Sequence, residues 1–367
     1  MRVVYDYQIF GAQKFGGISR YFCALASNLC SFPDATSKII APLYINKHLQ
    51  QARKGIVSGW HLPQVSRTGR VIRAVNSRLF PLAAARFRPQ IVHETYYSAQ
   101  PTYNGGAARV ITVFDMIHEL WPESFPVNDQ TVILKQTAIL RADRVVCISE
   151  NTRRDLLRML PVDGERVFVT HLGFDRLRVG KQGSRELVGD TPYLLYVGVR
   201  NGYKNFLGFA RAFAGSAWLK GNFRIVCFGG GPLAADERLV LRKLGLLDSQ
   251  VIHLMGGDED LAAVYSGAAV FIYPSLYEGF GIPPLEAMSL DCAVAASKTS
   301  SIPEVCGPAA EYFDPHDPDS ISAAIERVVG SEERRKELVS LGRGQCELFT
   351  WQRCARETLA IYEGLVS

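Results

Sequence analysis

Short apolar runs rich in β-branched residues recur along this chain, separated by helical patterns, and the recurrence breaks only once. In the first half, "RVVYDY" leads through a Gly-rich turn into "ISRYFCALASNL". "KIIAPLY", "QIVHET", "ARVITVFDM", "DRVVCIS" and "RVFVTHLG" follow. Runs this short and this apolar suit strands buried on both faces, the condition of a parallel sheet covered by helices. After Asp175 the segment "RLRVGKQGSRELVGDTP" is polar, contains glycine and has no apolar period. A second series then begins, with "YLLYVG", "FRIVCFGG", "VIHLMGG", "AVFIYPS" and "CAVAAS" as its strands. The pattern predicts an α/β chain of two doubly wound domains, residues 1–175 and 193–348, joined by a linker over 176–192. Residues 349–367, with "TWQRCARETLAIYEGL" at helical spacing, predict a closing helix that packs back on the N-terminal domain. A length of 367 residues suits two cores better than one.

Two such domains are expected to face each other across a cleft. In open α/β sheets ligands bind beyond the carboxyl ends of the strands, so the chemistry is sought in the loops that follow them. The stretch "SLYEGFGIPPLEAM" follows the strand "AVFIYPS". Glu278 falls just past the strand end. Pro283 and Pro284 are tolerated only in the first turn of a helix, which puts Glu286 in that turn as well. The amides of Phe280 and Gly281, beside Gly279, would then point at the crevice beyond the strand end, where an anion is the natural guest. The competing reading is an ordinary corner whose acids face solvent or complement the helix dipole. In "YVGVRNGYKNFLGF" Arg200 and Lys204 follow another strand end, where two cations could hold a diphosphate from two sides.

The N-terminal half offers weaker candidates. "FGGISRYF" sets Gly16 and Gly17 in the first turn, where backbone can approach a ligand closely, although the G-x-G-x-x-G spacing of a dinucleotide site is absent. Asp115 and His118 in "VFDMIHEL" and His93 in "QIVHETYY" lie at or near strand ends, where a neutral imidazole can bond a hydroxyl-rich ligand. A buried core histidine is the competing reading for each. Arg20 joins His93 and Asp115 as a candidate contact for a second substrate. "GDED" (Gly257 to Asp260) and "DPHDPD" (Asp314 to Asp319) resemble metal ligands, yet both precede helical patterns and read as helix caps, so no metal site is expected. A serine-nucleophile elbow and a Walker A loop are absent.

Charge separates the halves. The net charge of +5 arises from 21 Lys+Arg against 13 Asp+Glu in residues 1–175, a balance of +8, and from −3 in the remainder. Residues 35–93 hold no acid, while Lys38, Lys47, Arg53, Lys54, Arg67, Arg70, Arg73, Arg78, Arg86 and Arg88 fall there. Such a stretch favours an anionic partner, either lipid headgroups or a lipid diphosphate, with Arg67, Arg70 and Arg73 as membrane contacts; a solvated basic face is the competing reading. Regularly interleaved aromatics and nucleic-acid motifs are absent, which excludes nucleic acid. Eight scattered cysteines without C-x-x-C spacing, no long apolar run and no leader pattern predict a reduced, cytoplasmic protein, peripheral at most on the inner membrane face.

Together these stretches resemble glycosyltransferase family 4, retaining sugar transferases of the GT-B fold with two Rossmann-like domains. "EGFGIPPLE" fits the family's pattern of two glutamates separated by seven residues, and "SLYEGFG", "SSIPEV" and "YKNF" match around it. "QKFGGISRYF" and "FDMIHELWPESF" look like the mannosyltransferase-like subgroup that builds bacterial polysaccharides. The resemblance implies that Glu286 holds the ribose hydroxyls of a nucleotide sugar, that Glu278 contacts the transferred sugar and that Arg200 and Lys204 take the diphosphate. It also implies a role for His118 near the donor sugar and an acceptor received by the N-terminal domain. Two departures stand out. Val199 intervenes where many members place the arginine, and Phe114-Asp115 stands where many carry His-Asp. The implied reaction moves a hexose, mannose from GDP-mannose by subgroup likeness, to a glycan or lipid-linked glycan without metal or cofactor. A nucleotide-sugar epimerase and a non-catalytic sugar-nucleotide-binding protein are the rival readings.

Overall fold

Every strand in the computed structural model runs parallel to its neighbours, as the short apolar runs predict. The structure describes residues 1–53, 55–63, 68–180, 183–200 and 202–366; Lys54 and Arg67 of the basic stretch lie outside these. It divides into two units, Met1–Gly173 with Phe349–Ser367, and Phe174–Leu348.

The first unit holds a seven-stranded sheet of β1 (Arg2–Tyr5), β2 (Thr36–Tyr44), β3 (Val57–His61), β4 (Ile91–Glu94), β5 (Ala108–Val113), β6 (Arg144–Cys147) and β7 (Val167–Val169), in the order β3-β2-β1-β4-β5-β6-β7. The second holds β8 (Tyr193–Val197), β9 (Arg224–Phe228), β10 (Val251–Leu254), β11 (Val270–Tyr273), β12 (Val294–Ser297) and β13 (Ala310–Phe313), in the order β10-β9-β8-β11-β12-β13. Winding therefore reverses between β1 and β4 in one sheet and between β8 and β11 in the other. Helices on opposite faces part at such a switch point and leave a crevice beyond the strand ends.

Two edge strands, β3 and β13, have no counterpart among the predicted runs. β3 carries Gly59 and an exposed Trp60, and β13 is four residues long with Glu311 inside it, so neither offers a continuous apolar signal. The expected linker also differs. Residues 176–192 belong to the second unit and include a helix, Ser184–Val188, which ends at Gly189 with φ 87° and buries Val188. Five residues are too few to show a helical period. The closing helix, Trp351–Glu363, is capped by Thr350 Oγ1 accepting from the Arg353 amide at 3.1 Å. It belongs to the first unit, where the Tyr362 hydroxyl lies 3.2 Å from that of Tyr5.

Candidate functional site

The second unit's switch point brings together what the sequence separates by 74 positions. Lys204 follows β8 and Glu278 follows β11, and the Lys204 ammonium donates to both carboxylate oxygens of Glu278, at 2.7 and 3.0 Å. The loop that carries Glu278 is held from below by the "SSIPEV" segment. The Glu278 amide donates to Ser300 Oγ at 2.9 Å, and the Ser301 hydroxyl lies 2.8 Å from the Glu278 carbonyl and 2.7 Å from that of Phe280. Asn205, left-handed at φ 53°, spans from the other side, with Nδ2 donating to the carbonyls of Pro274 at 3.1 Å and Pro315 at 2.8 Å. The glutamate is thus fixed by backbone on two flanks before any ligand arrives.

Gly281, at φ 124°, turns the chain into the helix Ile282–Ser289. Few residues other than glycine adopt that conformation. The helix begins one residue earlier than the prolines suggest, so Glu286 is its fifth residue, past the first turn. Its carboxylate accepts from the buried Tyr265 hydroxyl at 3.4 Å. Glu278 is 7% exposed and Glu286 8%. At these values neither acid faces solvent, and the cost of burying a carboxylate is offset by Lys204 at Glu278 and by Tyr265 at Glu286. Burial first, and then the neighbouring Glu286, raises the Tyr265 hydroxyl well above its usual range; burial and Glu278 do the same to Tyr273. Both phenols stay protonated and can donate.

Arg200 departs from its expected role. Its guanidinium is buried, with Nε donating to Glu237 Oε1 at 2.9 Å, Nη1 to the Gly229 carbonyl at 3.1 Å and Nη2 to the Gly231 carbonyl at 2.8 Å. Gly229, Gly230 and Gly231 are all left-handed, and a Cβ on Gly230 would sit 2.4 Å from the Gly198 carbonyl oxygen. Arg200 therefore clamps the loop after β9 against the loop after β8 instead of presenting itself to a diphosphate. Val199, in the position where many family members carry the arginine, is the exposed residue. The acidic stretches resolve as caps: Asp260 accepts from the Gly257 amide at 2.9 Å, Asp314 from that of His316 at 3.0 Å and Asp317 from that of Asp319 at 3.0 Å.

In the first unit His93 is a core residue, which corrects its assignment to the acceptor. It is wholly buried, its Nδ1 2.6 Å from the Tyr362 hydroxyl and its Nε2 2.8 Å from Thr112 Oγ1. Burial lowers its pKa to about 3 and keeps it neutral. His118 lies in the short helix Ile117–Leu120, stacked on Phe125 at 3.8 Å, with Nε2 3.8 Å from Asp129 Oδ2. Its Nδ1 is buried with no hydrogen-bond partner among the described residues, and burial, then Lys135, lower its pKa. A buried orphan nitrogen is unusual and leaves the ring able to bond a ligand. Asp115 caps the same helix by accepting from the Ile117 amide at 3.0 Å. Arg20 is half-buried on the helix Gly17–Leu29, and Gly17 has open space where a Cβ would stand.

At the carboxyl ends of β1 and β4 lie Asp6, Gln8 and Thr95, none of them among the candidates that the sequence offered. There Asp6 is buried and accepts from the Gln8 amide at 3.1 Å, Gln8 Nε2 at 2.9 Å and the Thr95 amide at 3.0 Å. Beside this network a cavity of about 980 Å³ opens, bordered by Tyr7, Gln8, Arg70, Arg73, Tyr96 and Thr102 among others. The only advance signals were the acid in "RVVYDY" and the basic run; neither specifies a pocket.

Residues 15–178 match the profile described as "Glycosyltransferase Family 4", and residues 181–345 match "Glycosyl transferases group 1". The chain belongs to glycosyltransferase family 4. Among its relatives of this kind, "O-antigen chain mannosyltransferase B" of Escherichia coli is 29% identical over 231 residues, which is 60% of this chain and 61% of that one. "MMP alpha-(1->4)-mannosyltransferase" of Mycolicibacterium hassiacum is 37% identical over 142 residues, 37% of this chain and 34% of that one. The alignments thus span less than two thirds of these relatives' lengths. In fold, the chain is similar to sucrose-phosphate synthase from Thermosynechococcus elongatus, with a TM-score of 0.75, 18% identity, and coverage of 100% of this chain and 99% of the other. The two sheets are the Rossmann-like pair of a GT-B glycosyltransferase. Within this family 4 chain the loop that carries Glu278, the lysine of "YKNF" and the serines of "SSIPEV" form one connected construction.

Proposed function

We propose that this protein transfers a hexose, mannose from GDP-mannose, to a glycan or lipid-linked glycan in bacterial surface polysaccharide synthesis, with retention of anomeric configuration. The observation that carries the reading is the Lys204–Glu278 contact at the second unit's switch point, with the buried Glu286 eight positions after Glu278. An ammonium beside a strand end suits the departing diphosphate, and two buried carboxylates suit sugar hydroxyls. Glu286 takes the ribose and Glu278 the hexose. Lys204, with the Phe280 and Gly281 amides, stabilises charge on the leaving group, and Arg200 acts through the glycine loop it holds. With both carboxylates bonded to ligand hydroxyls, neither attacks the sugar. The nucleoside diphosphate leaves through an oxocarbenium-like state, the acceptor oxygen attacks from the same face, and its proton passes to the leaving phosphate. Metal is not required, because fixed cationic and amide groups supply the stabilisation. Mannose and the polysaccharide context rest on the names of the relatives.

The acceptor falls to the first unit, at the inner membrane face. Along the helix Gly69–Phe87, Ile72, Asn76, Phe80 and Ala84 are buried, while Val71, Leu79 and Leu82 are exposed beside Arg78 and Arg86 with no acid on the helix. That combination fits the interface of an anionic bilayer, each arginine adding about 1 kcal/mol near the surface. A thermal-shift screen with GDP, UDP, ADP and dTDP sugars tests the donor, since a ligand of the native state raises its melting temperature. Stabilisation by GDP-mannose above the others is expected. Indifference to all four overturns the donor assignment, and conversion of the sugar without an acceptor favours an epimerase.

A further inference from the structure

We infer that the 980 Å³ cavity of the first unit is a two-headed site for a phosphorylated glycan, in which Gln8 reads a sugar hydroxyl and Arg70 with Arg73 reads the phosphate. The inference deepens the proposed transfer and rests on that reading for calling the occupant the acceptor. The orientation of Gln8 is fixed by chemistry. Its Nε2 donates to Asp6 Oδ2 and to the Tyr96 carbonyl, both at 2.9 Å, and a backbone carbonyl can only accept. The side-chain carbonyl oxygen must therefore point away from them. Among the described residues it accepts no hydrogen bond, and Gln8 borders the cavity. Asp6, anchored by the Thr95 amide at 3.0 Å, is the positioning residue that holds this orientation. A fixed acceptor at a cavity wall asks for a donor, which a sugar hydroxyl supplies.

The other head is cationic. Arg70 and Arg73 stand three residues apart on the helix Gly69–Phe87 and so share a face. Both border the cavity, and neither makes an ion pair with a described carboxylate. Residues 35–93 hold no acid, so no carboxylate of their own segment pairs with them. Both are exposed, and their forked donors match phosphate oxygens. Asn76, farther along the same helix, is already occupied, bonding the Leu43 amide and carbonyl at 2.8 Å each. The arginines are thus the described cationic groups of this wall left for a ligand.

The test uses calorimetry on the full chain without donor, so it does not depend on turnover. The probes are a hexosyl farnesyl diphosphate, the matching hexosyl farnesyl glycoside, farnesyl diphosphate and inorganic diphosphate. The hexosyl diphosphate should bind at least tenfold more tightly than the glycoside at low salt, with the advantage shrinking as salt rises. R70Q/R73Q should abolish that advantage while leaving glycoside affinity intact. Gln8→Met should weaken both sugar-bearing probes about tenfold and leave farnesyl diphosphate unchanged. Equal affinity for diphosphate and glycoside, a preference that survives R70Q/R73Q, failure of wild type to bind either sugar probe, or inorganic diphosphate binding as tightly as the full probe would each overturn the inference. Melting-temperature shifts with GDP-mannose, measured on the same samples, report on the donor reading independently.

Discussion

Replacing Lys204 by methionine removes the ammonium while keeping most of the aliphatic stem, and the structure sets two separate magnitudes for the loss. Activity should fall by the worth of one charge-stabilising contact at the leaving group, about 3 kcal/mol or at least a hundredfold in kcat/KM. Stability should fall because Glu278 loses a partner that bonds both its oxygens. Breaking a fully buried pair costs about 3–5 kcal/mol. Here the side chains keep 21% and 10% of their exposure, so solvent screens part of the charge. The expected cost is about 1–3 kcal/mol. In a unit of this size that lowers the melting temperature by roughly 2–10 °C. The double variant Lys204→Met/Glu278→Gln, with no unpaired charge, should recover most of the stability and none of the activity. Urea denaturation and initial transfer rates on the three proteins separate the two effects. If the double variant regains both, the pair is a structural ion pair and the assignment of Lys204 to the leaving group is wrong.

His93 supplies a pH test. Its folded pKa of about 3 lies below the ordinary value near 6.5, so the unfolded chain takes up the proton first as pH falls. The contribution is complete above about pH 6.5 and is lost toward pH 3 at up to about 1.4 kcal/mol per pH unit. His93→Gln should flatten that slope; identical slopes in urea titrations from pH 7 to pH 4.5 would place the proton uptake elsewhere. Tyr362→Phe, which strands His93 Nδ1, should cost about 1–3 kcal/mol and raise hydrogen exchange first in Trp351–Glu363. Arg200→Lys keeps the charge but not the fork that spans Glu237 and the glycine loop. It should raise the KM for donor several-fold more than it lowers kcat, and an unchanged KM would deny the loop a part in donor binding.

The parallel sheets were legible because strands buried on both faces announce themselves as apolar runs. β3 and β13 were not, since an edge strand needs only one covered side and β3 leaves Trp60 in solvent. Glu278 and Glu286 were legible from the glycine and proline that shape their turn. The partnership of Glu278 with Lys204 was not, because it depends on β8 and β11 being neighbours, a property of topology and not of spacing. Arg200 and His93 show the converse limit. A cation or imidazole beside a strand end looks the same in sequence whether it meets a ligand or the protein's own carbonyls and hydroxyls, and here Glu237 and Tyr362, distant in the chain, decide the matter. The cavity beside Gln8 gathers loops after β1, β2 and β4 and leaves no local mark.

The most direct test of the proposed chemistry is the anomeric configuration of the first product. GDP-α-mannose is incubated with wild type and a lipid-diphosphate-linked glycan in EDTA, and proton NMR follows the new anomeric signal against released GDP. An α-mannoside formed in step with GDP, and absent with Glu286→Gln, is the predicted result. A β-mannoside, an epimerised sugar without transfer, or donor binding with no turnover would contradict it.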